Sequence, residues 1–169
     1  MKRAQFCLLG MSSLLNLTVE ARRADAPILI ADFEGSNYGQ WTATGTAFGS
    51  GPVRGTLSNQ MVVSGFKGKG LVNSFLGGDD ATGTLTSPSF KIQRRFITFL
   101  IGGGGWAKET CINLIVDGQI ERTATGPNTQ PGGTEWLEPA AWDVKEFQGK
   151  NATITIVDER KGGWGHINI

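Results

Sequence analysis

Histidine is almost missing from this chain: His166 stands alone among 169 residues. A histidine-built metal cluster or catalytic triad therefore has no basis within the chain. Cysteine is nearly as scarce, at two residues, Cys7 and Cys111. With Cys7 in the leading segment, Cys111 has no internal disulfide partner. It reads as a small buried apolar residue, because no base stands near it in sequence to make it a nucleophile. Charge of one sign is also lacking. The formal net charge is +1, and no basic run exceeds two residues. Such a balance leaves no electrostatic footprint for nucleic acid or an anionic membrane. No stretch beyond residue 26 carries a sustained helical period, and there is no internal repeat.

What the chain does have is glycine, 25 residues of it, and short β-rich runs. The first 26 residues read apart from the rest. Lys2 and Arg3 precede a mostly apolar run, and Ala24-Asp25-Ala26 places small residues where a signal peptidase cuts. The run is too short and too polar to span a membrane. Cys7 lacks the context of a lipoprotein cysteine. Residues 1–26 are thus expected to be an export signal, and the protein to be secreted or periplasmic. Residues 27–169 would form one domain, long enough to bury a real core.

That domain is predicted to be all-β. Runs at 28–33, 61–63, 70–75, 83–87, 96–101, 111–116, 119–124, 152–157 and 165–169 are separated by Gly, Pro, Asn and Asp clusters. Many short strands with frequent turns point to an antiparallel sandwich or barrel. Ile112, Leu114 and Val116 alternate onto one face, with Asn113 on the other, which predicts a sheet wet on one side. Asp117-Gly118 then predicts a tight hairpin. Ile154 and Ile156 share a face against Thr153 and Thr155. Residues 96–101 are nearly all apolar and predict a strand buried on both sides. A short helical piece is expected around 144–147. Trp41, Trp136 and Trp142 are expected in the core or at its rim.

Several strings, in order, are more specific than composition. They are ADFEGSNYGQW from Ala31, GKGLVNSFLGGDDATGTLTSPSFKI, FITFLIGGGGW, TCINLIVDGQ, RTATGPN and the terminal GGWGHINI. Together they resemble the N-terminal β-sandwich module that precedes the catalytic domain in some bacterial glycoside hydrolase family 32 enzymes (levanases, inulinases and related β-fructosidases). The resemblance implies a jelly-roll-like, galactose-binding-like sandwich with an accessory role. Its partners would be fructan-type carbohydrate and a family 32 catalytic domain, with no nucleic acid and no membrane. The alternative is a structural module that packs on the catalytic domain and binds no sugar, as a fragment of a β-fructosidase would. The family's Trp-Met-Asn-Asp-Pro-Asn, Arg-Asp-Pro and Glu-Cys motifs are missing, and Asp-Pro occurs nowhere in the chain. No catalytic residue is assigned, and no pair of facing carboxylates is expected.

Candidate binding residues follow. Trp106, after four glycines, could be a sugar platform whose glycines admit a ligand to the backbone, or a loop tryptophan folded over the core. Trp164, His166 and Asn168 share a face at period-2 spacing, suiting sugar recognition or a module interface. Asp79 and Asp80 could bond sugar hydroxyls or Ca²⁺, as could Asp32 and Glu34, or form a solvated turn. No other cofactor is implied. Arg122 could pair with a carboxylate, donate to a sugar, or be an ordinary surface residue.

Overall fold

A computed structural model describes residues 26–169. The segment read as an export signal lies outside the described residues except for Ala26. Nine strands form among the described residues: β1 Thr42–Gly45, β2 Gly83–Thr86, β3 Phe90–Lys91, β4 Phe96–Gly103, β5 Thr110–Val116, β6 Gln119–Ala124, β7 Glu138–Asp143, β8 Asn151–Asp158 and β9 Ile167–Asn168. One sheet runs β1-β2-β8-β5-β6, with β3 also paired to β8, and the other runs β7-β4-β9. Every pairing between these strands is antiparallel. The all-β sandwich is therefore present as expected.

The core lies between the sheets because each contributes one apolar face. From the larger sheet come Leu85, Ile112, Leu114 and Ile156, and from the smaller Ile101, Trp142 and Ile167. Strand β8 is the clearest case. Ala152, Ile154 and Ile156 are buried, and Thr153 and Thr155 are half-buried on the other face. Full burial of one such isoleucine contributes about 1.5–3 kcal/mol. The hairpin is also as expected: Val116 pairs with Gln119, and Asp117 and Gly118 both take positive φ, 51° and 78°. A Cβ added to Gly118 would meet nothing within 4 Å. Gly118→Ala is thus expected to cost about 1–2 kcal/mol from backbone strain alone, read as a shift in the urea midpoint.

Other expectations are corrected. Residues 28–33 and 61–63 are not strands, and Leu29 and Val62 are 71% and 77% exposed. Both runs have β composition, but neither is hydrogen-bonded into a sheet. Residues 70–75 contribute only isolated bridges, Val53 to Leu71 and Asn73 to Asn168. The last strand shrinks to two residues, and Gly165 at its expected start is held in a turn, its N–H donating to the Gly162 carbonyl at 2.8 Å. Strands β1, β3 and β7 carry no apolar run and were not foreseen. β7 even contains Pro139, tolerated because β7 lies at the edge of its sheet. β4 is not buried on both faces: Phe96 is 51% exposed under the Arg95 guanidinium. Conversely, Asn113 is buried, held by Thr123 and Cys111, so β5 is covered on both sides. Trp142 packs in the core against Phe99 and Trp41 against Phe33, but Trp136 is half exposed. Cys111 is fully buried, as expected, and burial pushes its thiol pKa up. The helical piece is a single 3-10 turn, Lys145–Phe147.

Candidate functional site

At one end of the sandwich, four chain segments pass each other too closely for side chains. A Cβ on Gly104 would sit 2.1 Å from the Trp164 carbonyl oxygen, and one on Gly126 would sit 2.4 Å from that of Gly103. The glycine run before Trp106 therefore serves chain-to-chain packing, and not the approach of a ligand to the backbone. This packing brings Trp106, the 126–135 connection and the 160–166 approach to β9 around one cavity of about 560 Å³. Phe75 and Asp79 close another side, and Asn59–Met61 completes the rim.

His166 lies at the inner end, 3% exposed. Its Nδ1 is 2.7 Å from Asp79 Oδ1 and its Nε2 is 2.9 Å from Glu135 Oε1. A neutral imidazole has one N–H, so both bonds to carboxylates require the charged form. Burial opposes that charge, but Glu135 and then Asp79 outweigh it, and the His166 pKa lies above its ordinary value. Glu135, only 2% exposed, also accepts from Asn168 Nδ2 at 2.8 Å through its other oxygen. Aromatic rings enclose the imidazolium: Phe75 lies edge-on at 4.9 Å and Trp164 at 5.5 Å with a 31° tilt. Trp164 holds a left-handed backbone unusual for a bulky residue, and its indole N–H donates to the Gln130 carbonyl at 2.8 Å.

Opposite stands Trp106. The Arg160 guanidinium lies 4.0 Å over its ring and donates to Glu109 Oε2 at 3.1 Å. Trp106 Nε1 and Arg160 Nε are buried without hydrogen-bond partners among the described residues. One further charge lies close by. Asp158, at the end of β8, is fully buried, and neither oxygen meets full hydrogen-bond geometry with a described residue. Burial pushes its pKa up to about 7, while the Ser74 hydroxyl, the His166 charge and the Arg160 N–H ease the ionised form only in part.

Four of the binding candidates thus line one cavity, Trp106, Asp79, Trp164 and His166, and Asn168 lies buried behind it. Asp80 is adjacent but does not line it; its Oδ1 accepts from the Gly162 N–H at 3.2 Å and pins two loops together. Arg122 is elsewhere, donating to the Asp143 carbonyl and to Glu146 while lying over Phe147. It clamps β6 to the chain around β7 and the 3-10 turn. Asp32 and Glu34 are apart too, Glu34 accepting from the Lys69 and Gly70 N–H groups. Among the described residues no group of three or more His, Cys, Asp or Glu is placed to hold a metal ion.

Glu135, Arg160, Phe75 and Asp158 were not foreseen. Asp158 had a readable signal, since it continues the inward series Ala152, Ile154, Ile156 by one more step of two. Glu135 had none, lying in a loop outside any periodic run. The cavity also departs from expectation in holding two carboxylates, Asp79 and Glu135. Each is hydrogen-bonded to one ring nitrogen of His166, so the imidazole stands between them.

Over 145 residues the chain is 43% identical to a protein of Aspergillus rugulosus named "Putative glycosyl hydrolase ecdE". The match takes in 84% of this chain and 20% of that protein, so the chain spans about one fifth of the length of the curated relative it matches. No family model matches the chain, and no solved structure does. The chain is accordingly related to a portion of that protein.

Proposed function

We propose that this domain is a non-catalytic, carbohydrate-binding accessory module of an exported glycoside hydrolase, with fructan-type chains as its ligand. The observation that carries the binding role is the cavity itself. Trp106 and Trp164 line it, Trp164 only 8% exposed and Trp106 carrying the Arg160 guanidinium 4.0 Å over its ring, with Asp79 as an acceptor and Arg160 as a donor. Sugars present C–H faces to aromatic rings and hydroxyls to such polar groups. The glycosyl hydrolase relative supports the setting. The likeness of the strings from Ala31 onward to family 32 modules supports fructan and a family 32 catalytic domain as partners. The leading 26 residues support a secreted or periplasmic location. Because Asp79 and Glu135 are both committed to His166, neither is given a catalytic role.

Affinity electrophoresis through gels containing levan or inulin tests the proposal. Retardation on at least one is expected. Trp106→Ala should weaken it about two- to tenfold, since one aromatic contact carries about 0.5–1.5 kcal/mol. Arg122→Ala should leave it unchanged. Folded protein that migrates freely on both polymers would remove the carbohydrate role.

A second reading has an observation of its own. Ile28, Leu29 and Phe96 are exposed and line a second concavity of about 530 Å³ on residues 27–31 and 87–98. An apolar surface of this kind suits packing on another domain. Under that reading the module stabilises a catalytic domain without holding sugar, and co-expression with such a domain should yield a stable complex that Leu29→Asp weakens.

A further inference from the structure

We infer that the cavity receives the end of a glycan chain, one terminal residue entering from the mouth, and does not grip an internal stretch. This rests on the carbohydrate reading above and narrows it. The inner end is shut. His166 and Glu135 are 3% and 2% exposed, and next to them Ser74, Asn168 and Asp158 are completely buried. Nothing threaded into the cavity can leave by the far side. The walls come from separate parts of the chain, with Trp106, Trp164, Asp79 and the 129–132 loop standing around one opening. A polymer laid across that opening would touch only the rim. A chain terminus can descend toward the part-exposed Asp79, past the edge of Trp106 and the Arg160 guanidinium that lies over it.

The polar groups agree with an end. Asp79 gives Oδ1 to His166, and its Oδ2 accepts no hydrogen bond from the described residues, although the side chain is 32% exposed. A carboxylate oxygen is acceptor-only and wants hydroxyl donors. Terminal sugar units offer more of them than internal ones, whose oxygens are consumed in linkages. Arg160 supplies the complementary donor: Nη1 is taken by Glu109, and Nη2 donates to no described residue. Together the two groups offer a terminal ring one acceptor and one donor.

Calorimetric titration of the folded domain with linear inulin, cut to graded lengths by an endo-acting hydrolase at constant total mass, tests this. The number of sites should rise in proportion to chain ends, and a linear trisaccharide should compete with the polymer at an affinity within about threefold. A cyclic fructo-oligosaccharide, which has no terminus, should not bind. Asp79→Asn should lower affinity for the linear ligands about tenfold, the worth of one charged hydrogen bond. Sites that track polymer mass, or equal binding of the cyclic oligomer, would overturn end recognition while leaving the carbohydrate role standing. Absence of heat with every linear chain would remove that role and this inference together. The unmodified domain alone decides between these results, so the test survives misfolding of the Asp79 variant.

Discussion

Replacing His166 by alanine is expected to cost about 3–5 kcal/mol of folding stability, the usual penalty for leaving half of a buried ion pair behind. The reason is Glu135. It is 2% exposed, and its charge is balanced by the imidazolium at 2.9 Å and by the Asn168 amide at 2.8 Å. Without the ring, one carboxylate oxygen stays dehydrated with no donor. Domains of this kind have only about 5–15 kcal/mol to lose, so the urea midpoint should fall steeply. The double variant His166→Phe with Glu135→Leu should be far less damaged than either single change, because it removes both charges and keeps the volume. A wild-type midpoint for His166→Ala would show that the cluster carries no such energy. The pair also sets a pH trend. The folded His166 pKa lies above its unfolded 6.5. Its contribution is therefore complete below pH 6.5 and is lost as the pH climbs through the folded value.

The second large effect concerns Asp158 and has the same pH sense by a different route. Burial raises its pKa from 3.8 to about 7. The native state thus keeps a proton that the unfolded chain releases, and stability falls as pH rises from about 4 to about 7. A difference of three pKa units corresponds to about 4 kcal/mol, fully felt only above the folded value. Asp158→Asn keeps the shape and removes the charge. At pH 8 it should gain about 2–4 kcal/mol over the parent, and near pH 4 almost nothing, since the parent carboxyl is then protonated in the native state. Paired urea titrations at the two pH values measure this. Equal effects at both would mean that the carboxylate is not held dehydrated at the end of β8.

The two effects differ in how far the sequence announces them. Asp158 falls on the inward face that Ala152, Ile154 and Ile156 already define, so alternation places it in the core and chemistry makes it costly. Glu135 sits between Thr134 and Trp136 without any period, and only the folded chain sets it against His166. The same division runs through the candidate residues. Asp79 and His166 are 87 residues apart yet within hydrogen-bond reach. Arg122, on a strand that was correctly foreseen, turns out to clamp Asp143 and Glu146 at a distance from the cavity. A residue's type states what it can do, but its partner is chosen by the packing of remote segments.

Local chemistry by itself determined the all-β class, the Asp117-Gly118 hairpin, the alternating faces of β8, and the buried, unpaired state of Cys111. Each depends on neighbours a few residues away: the period of side chains along a strand, or two residues that tolerate positive φ. Tertiary structure decided that 28–33 stays unpaired, that the Pro-bearing β7 becomes a strand, and that the glycines at 104 and 126 let chains touch. It also decided that one imidazolium sits between two carboxylates. Strand pairing and ion pairing across tens of residues are settled by which surfaces meet and which charges must be neutralised once water is gone, and no local window of sequence contains that information.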